Sequence, residues 1–244
     1  PRHRSPRPPT RQSPTSPMPA PAQEAASSTL CARLDQVSKL FGSFAALRQV
    51  SANLEPGRCY VLVGENGAGK STLLRILAGL LHPTHGKVTV FGGLDPHDAR
   101  ERIGYMSHAP MLYDELTAQE NLRYFASLYP GRACLAPEEA LRQVGLDPKL
   151  PRMLGQYSQG MRQRTSLARV LLAQPELLLL DEPFSNMDVE SVQQMVELLA
   201  GFRQSNRTIV ITTHQRESAA PIADWVLRLK AGRVAEFAPG NPTL

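Results

Sequence analysis

The chain has 244 residues, 42% of them hydrophobic, and a formal net charge of +5. This length suffices for one sizeable core, and no apolar run approaches the roughly 18 residues of a membrane-spanning helix, so any membrane function requires a partner that supplies the spans. The three cysteines, Cys31, Cys59 and Cys134, lack metal-ligand spacing and indicate free thiols in a reducing compartment rather than a disulfide framework.

Residues 1–29 differ in composition from the rest of the chain. They hold eight of the 21 prolines, and four arginines against the single acidic residue Glu24. Such a segment cannot bury apolar surface or sustain a helix, so we predict that it is disordered. A solvated tail, or upstream sequence ahead of an internal start at Met18, is favoured over a nucleic-acid-binding arm, because four arginines in a disordered arm are weak support for such binding. We therefore expect no nucleic-acid partner.

The folded part is predicted to begin with two strands and a turn. Loose alternation suggests strands at 30–37 and 50–54, joined by a turn around Phe41 and Gly42. The continuous apolar run 60–63 is typical of a strand that is buried on both faces of a parallel sheet.

The most informative motif of the chain follows that third strand. It fits the phosphate-binding pattern G-x-x-x-x-G-K-[ST] and leads into a helix-like run at 72–81. Backbone N–H groups of such a loop close around phosphate oxygens, and the following helix adds the positive end of its dipole. We expect Lys70 to reach the β- and γ-phosphates of the bound nucleotide and the Ser71 hydroxyl to ligate Mg²⁺. The predicted nucleotide-binding residues of this loop are Gly64, Glu65, Asn66, Gly67, Ala68, Gly69, Lys70, Ser71 and Thr72.

The remaining elements predict an α/β fold with a helical insertion. The pattern is helical over about 105–160, where Thr117 and Glu120 form a capping box and Ser158 can cap a later helix. Helices are predicted at 121–129, at 137–144 and after Ser158, and strands at 87–91, 177–180, 208–212, 225–229 and 233–237. The expected architecture is a P-loop NTPase core with a mainly parallel sheet, an antiparallel β lobe and a helical insertion subdomain.

Three apolar strands end at groups that can act on a phosphate. The strand at 60–63 runs into the phosphate loop, a second into Asp181 and Glu182, and a third towards His214. Since ligands bind beyond the carboxyl ends of the strands in an open parallel sheet, these groups are expected at one edge. Asp181 is placed to hold Mg²⁺ through its waters, and Glu182 to polarise the attacking water as general base. His214 is expected to contact the γ-phosphate and to help hold that water in line.

This set of motifs resembles the nucleotide-binding subunit of an ABC transporter. The resemblance rests on the phosphate loop, on residues 177–183 and 185–188 and on His214, and it covers about residues 30–237, which leaves 238–244 as a tail. It implies ATP hydrolysis with ATP and Mg²⁺ as cofactors, and a homodimer or a pair with another ABC subunit. It also implies an integral membrane permease that holds the chain at the cytoplasmic face of the membrane.

Two further segments match the family in part. Residues 157–164 occupy the place of the family signature, usually L-S-G-G-Q; Ser158 and Gly160 match it, and the departures are Tyr157, Gln159 and Met161. The resemblance implies that a partner subunit presents this segment to the γ-phosphate of the ATP held by the first. Phe41 matches the aromatic residue that stacks on adenine in the family, although an apolar turn residue is the alternative interpretation.

The clearest departure from the family pattern is His108. In the family a Gln usually stands here, contacts Mg²⁺ and the attacking water, and links ATP to the membrane partner. An imidazole ligates Mg²⁺ poorly, can hydrogen-bond water and can change charge near neutral pH. Either the link between ATP and the membrane partner works differently in this chain, or His108 replaces the Gln only as a hydrogen-bonding group. The second interpretation is favoured.

Within the family, the chain has a more specific resemblance to members that drive export. The Ser-x-Gly-Met signature resembles export-type members, and residues 104–108, 112–113, 116–122 and 212–215 are similar to ATP-binding subunits assigned to the haem exporter of cytochrome c maturation. The alternative is a non-transport ABC ATPase such as an iron–sulfur assembly factor. The sequence leaves the transported substrate and the identity of the membrane subunit open.

Overall fold

The computed structural model of the protein describes residues 30–129 and 131–240. The predicted disordered segment 1–29 lies outside the described residues, as do residues 241–244 of the predicted tail. Within the described part, the strands are β1 Ala32–Phe41, β2 Phe44–Leu54, β3 Cys59–Val63, β4 His85–Val90, β5 Ile103–Met106, β6 Leu177–Asp181, β7 Thr208–Thr212, β8 Trp225–Lys230 and β9 Arg233–Pro239. The α-helices there are α1 Lys70–Leu77, α2 Ala118–Ser127, α3 Pro137–Gln143, α4 Gln159–Leu171, α5 Val189–Gln204 and α6 Arg216–Ala219.

A six-stranded sheet forms the centre of the fold, with the strand order β5-β6-β7-β3-β8-β9. Its neighbours pair in parallel except for β8 and β9, which form the predicted hairpin. Every residue of β3, β6 and β7 is buried, which explains why these strands are continuous apolar runs in the sequence. Because β6, β7 and β3 are neighbours, the residues that follow them meet at one edge of the sheet.

Apolar side chains cover both faces of this sheet. Successive residues of a strand point to opposite faces, so Val61 and Leu180 belong to one core, which also contains residues of α3, α4 and α5. Leu62 and Leu179 belong to the other core, which contains residues of α1, β1 and β2. Helices and a second sheet thus enclose the central sheet, and the predicted P-loop NTPase fold is confirmed.

The predicted antiparallel lobe is a three-stranded sheet with the order β2-β1-β4. Its first two strands are longer than the sequence predicts and continue to the turn at Gly42. Register shifts interrupt the pairing of β1 with β2, and Gln36 and Gln49 have φ angles of 50° and 53°. These irregularities break the alternation of apolar and polar residues, which is why the pattern indicated only the outer parts of the two strands.

The segment between β5 and β6 carries the predicted helices. At the start of α2 the Thr117 hydroxyl accepts from the Glu120 N–H at 3.3 Å, and the Glu120 carboxylate accepts from the Thr117 N–H at 2.9 Å, so the capping box is confirmed. Ser158 caps α4, its hydroxyl accepting from the Met161 N–H at 3.2 Å. Among the described residues, no helix combines the length and the apolar composition that a membrane span needs.

Further elements differ from the sequence prediction, among them β5, α1 and α5. The strand β5 takes up the first residues of the predicted helical insertion 105–160 and adds a parallel strand to the central sheet. The helix α1 ends at Leu77 instead of continuing to residue 81, since Gly79 adopts a positive φ of 69° just beyond it. The 16-residue helix α5 is not predicted by the sequence analysis and begins at the N-cap residue Asp188.

Candidate nucleotide-binding site

The phosphate loop connects β3 to α1 through backbone conformations that require glycine. Gly64 and Gly69 have φ angles of 156° and 103°, and a Cβ atom on Gly69 would lie 2.6 Å from the carbonyl oxygen of Ala46. Lys70, a residue that is 8% exposed, donates through its ammonium group to the carbonyl oxygens of Gly64 at 2.8 Å and Glu65 at 3.2 Å. The loop and the first turn of α1 therefore present a buried cation and a positive helix end to the same space.

Asp181, at the carboxyl end of β6, lies next to this loop. Its Oδ1 accepts from the Ser71 hydroxyl at 3.0 Å and from the Thr212 hydroxyl at 2.7 Å, and its side chain is nearly fully buried. Thr212 ends the neighbouring strand β7 and pairs with Asp181 in register. The hydrogen bonds fix one carboxylate oxygen, so the position of Asp181 relative to the phosphate loop is set by two strands and a helix.

Glu182 and His214 form a second pair at the same edge. The His214 ring Nδ1 lies 2.9 Å from Glu182 Oε2, and the His214 N–H donates to the same oxygen at 3.3 Å. The Glu182 N–H in turn donates to the Thr212 hydroxyl at 3.0 Å. The carboxylate is mostly buried, with a side-chain exposure of 16%, whereas the imidazole is 61% exposed. A carboxylate that is held on one oxygen and mostly shielded from solvent suits a general base.

These groups surround one cleft of about 550 Å³. Most of the predicted site residues line it, and the lining comprises Phe41, Phe44, Ala46, Asn66, Gly67, Gly69, Lys70, Ser71, Thr72, His108, Asp181, Glu182 and His214. Gly64, Glu65 and Ala68 belong to the phosphate loop and face a neighbouring cavity instead. The sequence did not indicate Phe44, Ala46 or Thr212 as contributors to this region.

Ser158 and Gly160 lie elsewhere in the chain and do not line the cleft. The exposed Ser158 caps α4. Gly160 is buried against the start of α5, where an added Cβ atom would lie 2.7 Å from the Cβ of Ser191. Close packing within the chain thus accounts for the glycine, and the structure does not bring the predicted signature residues to the cleft of the same chain.

A buried hydroxyl near Asp181 is a further feature that the sequence did not indicate. Tyr105 lies on β5 next to β6, and its buried hydroxyl is near Arg75 and Asp181. Burial raises the pKa of Tyr105; the neighbouring Arg75 lowers it and the Asp181 carboxylate raises it. Tyr105 therefore stays a neutral hydroxyl behind the acidic end of the cleft.

The donor set at this edge fits a magnesium ion that is shared with phosphate. The Ser71 hydroxyl and the Asp181 carboxylate supply hard oxygen ligands 3.0 Å apart. Within the part of the chain that the structure describes, no group of three or more His, Cys, Asp or Glu side chains could hold a metal ion by itself. In magnesium sites of nucleotide-binding proteins, one or two protein oxygens are completed by water and by phosphate oxygens of the substrate.

Comparison with known proteins gives the family of the chain. The profile of the ABC transporter family matches residues 47–185. The ABC transporter ATP-binding protein NatA of Bacillus subtilis (strain 168) is 35% identical over 197 residues, which cover 78% of this chain and 80% of that protein. The cytochrome c biogenesis ATP-binding export protein CcmA of Xanthomonas oryzae pv. oryzae is 36% identical over 180 residues, covering 73% and 84% of the two chains.

A solved structure shares both the fold and the arrangement of the elements. The dimeric structure of MJ0796, a bacterial ABC transporter cassette, superimposes with a TM-score of 0.76 at 27% identity, covering 86% of this chain and 99% of that one. Relatives that match this chain include both export and import ATP-binding proteins. The matches show that the chain belongs to the ABC transporter family, as one of its ATP-binding, ATP-hydrolysing subunits.

Proposed function

We propose that two copies of this chain, or this chain and a second ABC subunit, close around two ATP molecules and thereby drive an export permease. The observation that carries the proposal is that Ser158 and Gly160 lie outside the cleft of their own chain, although they match the family signature. A second chain that presents these residues to the open side of the cleft would complete the site. The permease would hold the assembly at the cytoplasmic face of the membrane.

Each group at the cleft has a defined task in the proposed hydrolysis of ATP. Lys70 and the N–H groups of the phosphate loop bind the β- and γ-phosphates, and Ser71 and Asp181 are the residues that would hold Mg²⁺. When bound, the ion neutralises charge that develops on the phosphate oxygens. Glu182 accepts the proton of a water molecule whose oxygen attacks the γ-phosphorus as the bond to the β-γ bridging oxygen breaks.

His214 supports this step through Glu182. Both its ring nitrogen and its backbone N–H lie within hydrogen-bond distance of Glu182 Oε2, which leaves Oε1 available to the water. The remaining ring nitrogen, Nε2, is free to contact the γ-phosphate because the imidazole is largely exposed at the cleft. His214 thus orients both the base and the phosphate that is attacked.

The more specific part of the proposal is that the exported substrate is haem. It is supported by the likeness of residues 104–108 and 212–215 to haem-exporter subunits and by the 36% identity to CcmA, whose name refers to cytochrome c biogenesis and export. No residue in the described part of the chain is assigned to the transported substrate, so the choice of haem rests on these similarities alone.

The test is transport in inverted membrane vesicles that contain the chain together with its candidate permease. We expect ATP to drive haem into the lumen and Glu182→Gln to abolish this uptake. Stimulation of ATP hydrolysis by the permease without haem uptake would contradict haem as the substrate but not export. An ATPase that binds no membrane subunit and copurifies with iron–sulfur assembly proteins would contradict the transport function itself.

A further inference from the structure

The Thr212 side chain connects the two acidic residues that follow each other at the end of β6. Its hydroxyl donates to Asp181 Oδ1 at 2.7 Å and accepts from the Glu182 N–H at 3.0 Å. A hydroxyl has one proton to donate and lone pairs that accept, so it can make both hydrogen bonds at once. One side chain of β7 thus contacts both the expected magnesium ligand and the backbone of the expected general base.

Thr212 contributes to this site from inside the protein. It ends β7, pairs in register with Asp181 and is fully buried behind the residues that line the cleft of the described chain. Burying a hydroxyl costs free energy unless its hydrogen bonds are made, and here the hydroxyl uses them on the site. Because a valine would fill nearly the same space, the particular contribution of threonine lies in these two hydrogen bonds.

The backbone of Glu182 depends on this support. Its φ angle is 54°, in the left-handed region that is uncommon for residues other than glycine. The Glu182 N–H donates to the Thr212 hydroxyl at 3.0 Å and to the Thr212 carbonyl oxygen at 3.1 Å. A residue keeps such a conformation only where its surroundings hold it there. Thr212 therefore helps to fix the direction in which the Glu182 side chain leaves the backbone.

The support that Thr212 gives to Asp181 differs from that of Ser71. The Ser71 hydroxyl also donates to Asp181 Oδ1, at 3.0 Å, but Ser71 is itself an expected ligand of Mg²⁺. Thr212 contacts the Asp181 carboxylate from the buried side. Residues that hydrogen-bond to a metal ligand without touching the metal orient that ligand, and their loss is felt at the metal.

We infer that Thr212 is a positioning residue for ATP hydrolysis, which sets the Asp181 and Glu182 carboxylates relative to each other through one hydroxyl. Without this hydroxyl, Asp181 Oδ1 loses its donor on β7, and the Glu182 N–H keeps only the carbonyl oxygen of Thr212. The phosphate loop, which this hydroxyl does not contact, would still bind ATP. The inference rests on the roles proposed above for Asp181 and Glu182 and adds the residue that connects them.

The test compares Thr212→Val, which removes the hydroxyl, with Thr212→Ser, which keeps it, in the full chain. Thr212→Val should lower kcat at saturating ATP and Mg²⁺ by about 10- to 100-fold, the usual range for such a partner of a metal ligand. It should also weaken the binding of Mn²⁺, a spectroscopic probe of the magnesium site, measured by electron paramagnetic resonance with ATP present. ATP affinity in EDTA should match that of the parent, which also shows that the variant is folded.

The controls separate the hydroxyl at the site from the packing of the strand. Thr212→Ser should retain most of the activity. Thr208→Val, at the other end of β7, removes a buried hydroxyl that accepts from the Gly57 N–H at 3.0 Å, and it should keep the kcat of the parent. Both variants alter a buried threonine of the same strand, so they differ from Thr212→Val in whether the hydroxyl at the two carboxylates is lost.

Several results would overturn the inference. These are a parental kcat in Thr212→Val, an equal loss in Thr208→Val, or an equal loss in Thr212→Ser, since the last two would reflect packing of the strand. A reduced kcat with unchanged Mn²⁺ affinity would contradict the shared role of the hydroxyl. Failure of the proposed function is recognised separately: hydrolysis by Glu182→Gln at the parent rate would remove the base on which the inference rests, whatever the Thr212 variants do.

Discussion

The nucleotide cleft and the signature segment at the start of α4 are built in opposite ways. At the cleft, side chains from β6, β7 and α1 are joined by hydrogen bonds: Asp181 accepts from Ser71 and Thr212, and Glu182 lies 2.9 Å from His214. At the signature segment, the Ser158 hydroxyl accepts from the Met161 N–H of its own helix, and Gly160 packs against α5. The first region is organised within one chain, whereas the second combines the exposed Ser158 with the buried Gly160 and, in the described part of the chain, contributes no residue to the cleft.

Both regions use the N-terminus of a helix, and the comparison shows what distinguishes them. The start of α1 has Lys70 and two carboxylates around it, so it can bind an anion together with a cation. The start of α4 has the Ser158 hydroxyl, and Arg162 nearby is tied to Asp114 at 2.6 Å and to the carbonyl of Leu154 at 2.9 Å. Arg162 is therefore paired within the chain, and in the proposed assembly the second region acts on a nucleotide that another chain brings to it.

The prediction with the largest expected effect tests whether Glu182 is the general base for ATP hydrolysis. Glu182→Gln should retain ATP binding and lower the rate of hydrolysis by about 10²–10⁴-fold, because the amide cannot accept the proton of the attacking water. Phosphate release and ATP binding are measured on the same preparation. Glu217→Gln, on the exposed side of α6, removes the same charge outside the cleft and should hydrolyse at the parent rate. Hydrolysis by Glu182→Gln at the parent rate would show that another group is the base.

The second effect tests whether the signature segment acts from another chain. Glu182→Gln should form a dimer in saturating ATP, because the nucleotide persists, and adding Ser158→Arg should leave it monomeric by placing a long side chain where the γ-phosphate must approach. Light scattering gives the mass. Ser127→Arg, at the exposed end of α2, adds the same side chain away from the cleft and should still permit the dimer. A monomer in saturating ATP, even with the membrane partner present, would refute assembly across two chains.

The sequence indicates the cleft well, for a physical reason. Apolar strands that are buried on both faces are continuous in sequence, and the carboxyl ends of neighbouring parallel strands meet, so Lys70, Asp181 and His214 could be placed together without coordinates. Phe44 could not be placed at the cleft from the sequence, because its position follows from its pairing with Phe41 across the turn. Register shifts in the two strands break their alternation pattern, so the sequence does not show how far the strands extend. Thr212 gave no signal either, since it is one of several β-branched residues on its strand.

Two of the elements that the sequence did not predict, β5 and α5, show different limits. Four residues are too few to identify β5, and its Gly104 argues against a strand, yet a Cβ there would lie 2.5 Å from Val170 Cγ1 and 2.7 Å from Pro175 Cγ. That packing between α4 and the sheet is invisible in the sequence. The helix α5 could have been predicted: Asp188, treated only as part of a motif, accepts from the Ser191 N–H at 2.8 Å and is its N-cap.

The smallest expected effect concerns His108. It follows β5, lines the cleft and precedes the segment that leads to α2 and on to the signature. If its imidazole serves only as a hydrogen-bonding group, His108→Gln should retain ATP hydrolysis and coupling to transport, because an amide can make the same contact with water. The pH–rate profiles of parent and variant, measured over about pH 5.5–8, should then superimpose. His85→Gln, on the exposed end of β4, is the matched control.

Loss of activity on acidification in the parent alone would show that the charge on His108 matters. Normal hydrolysis without transport in the variant would instead place His108 on the path from the nucleotide to the membrane partner. The His108 side chain would then couple the nucleotide cleft to transport.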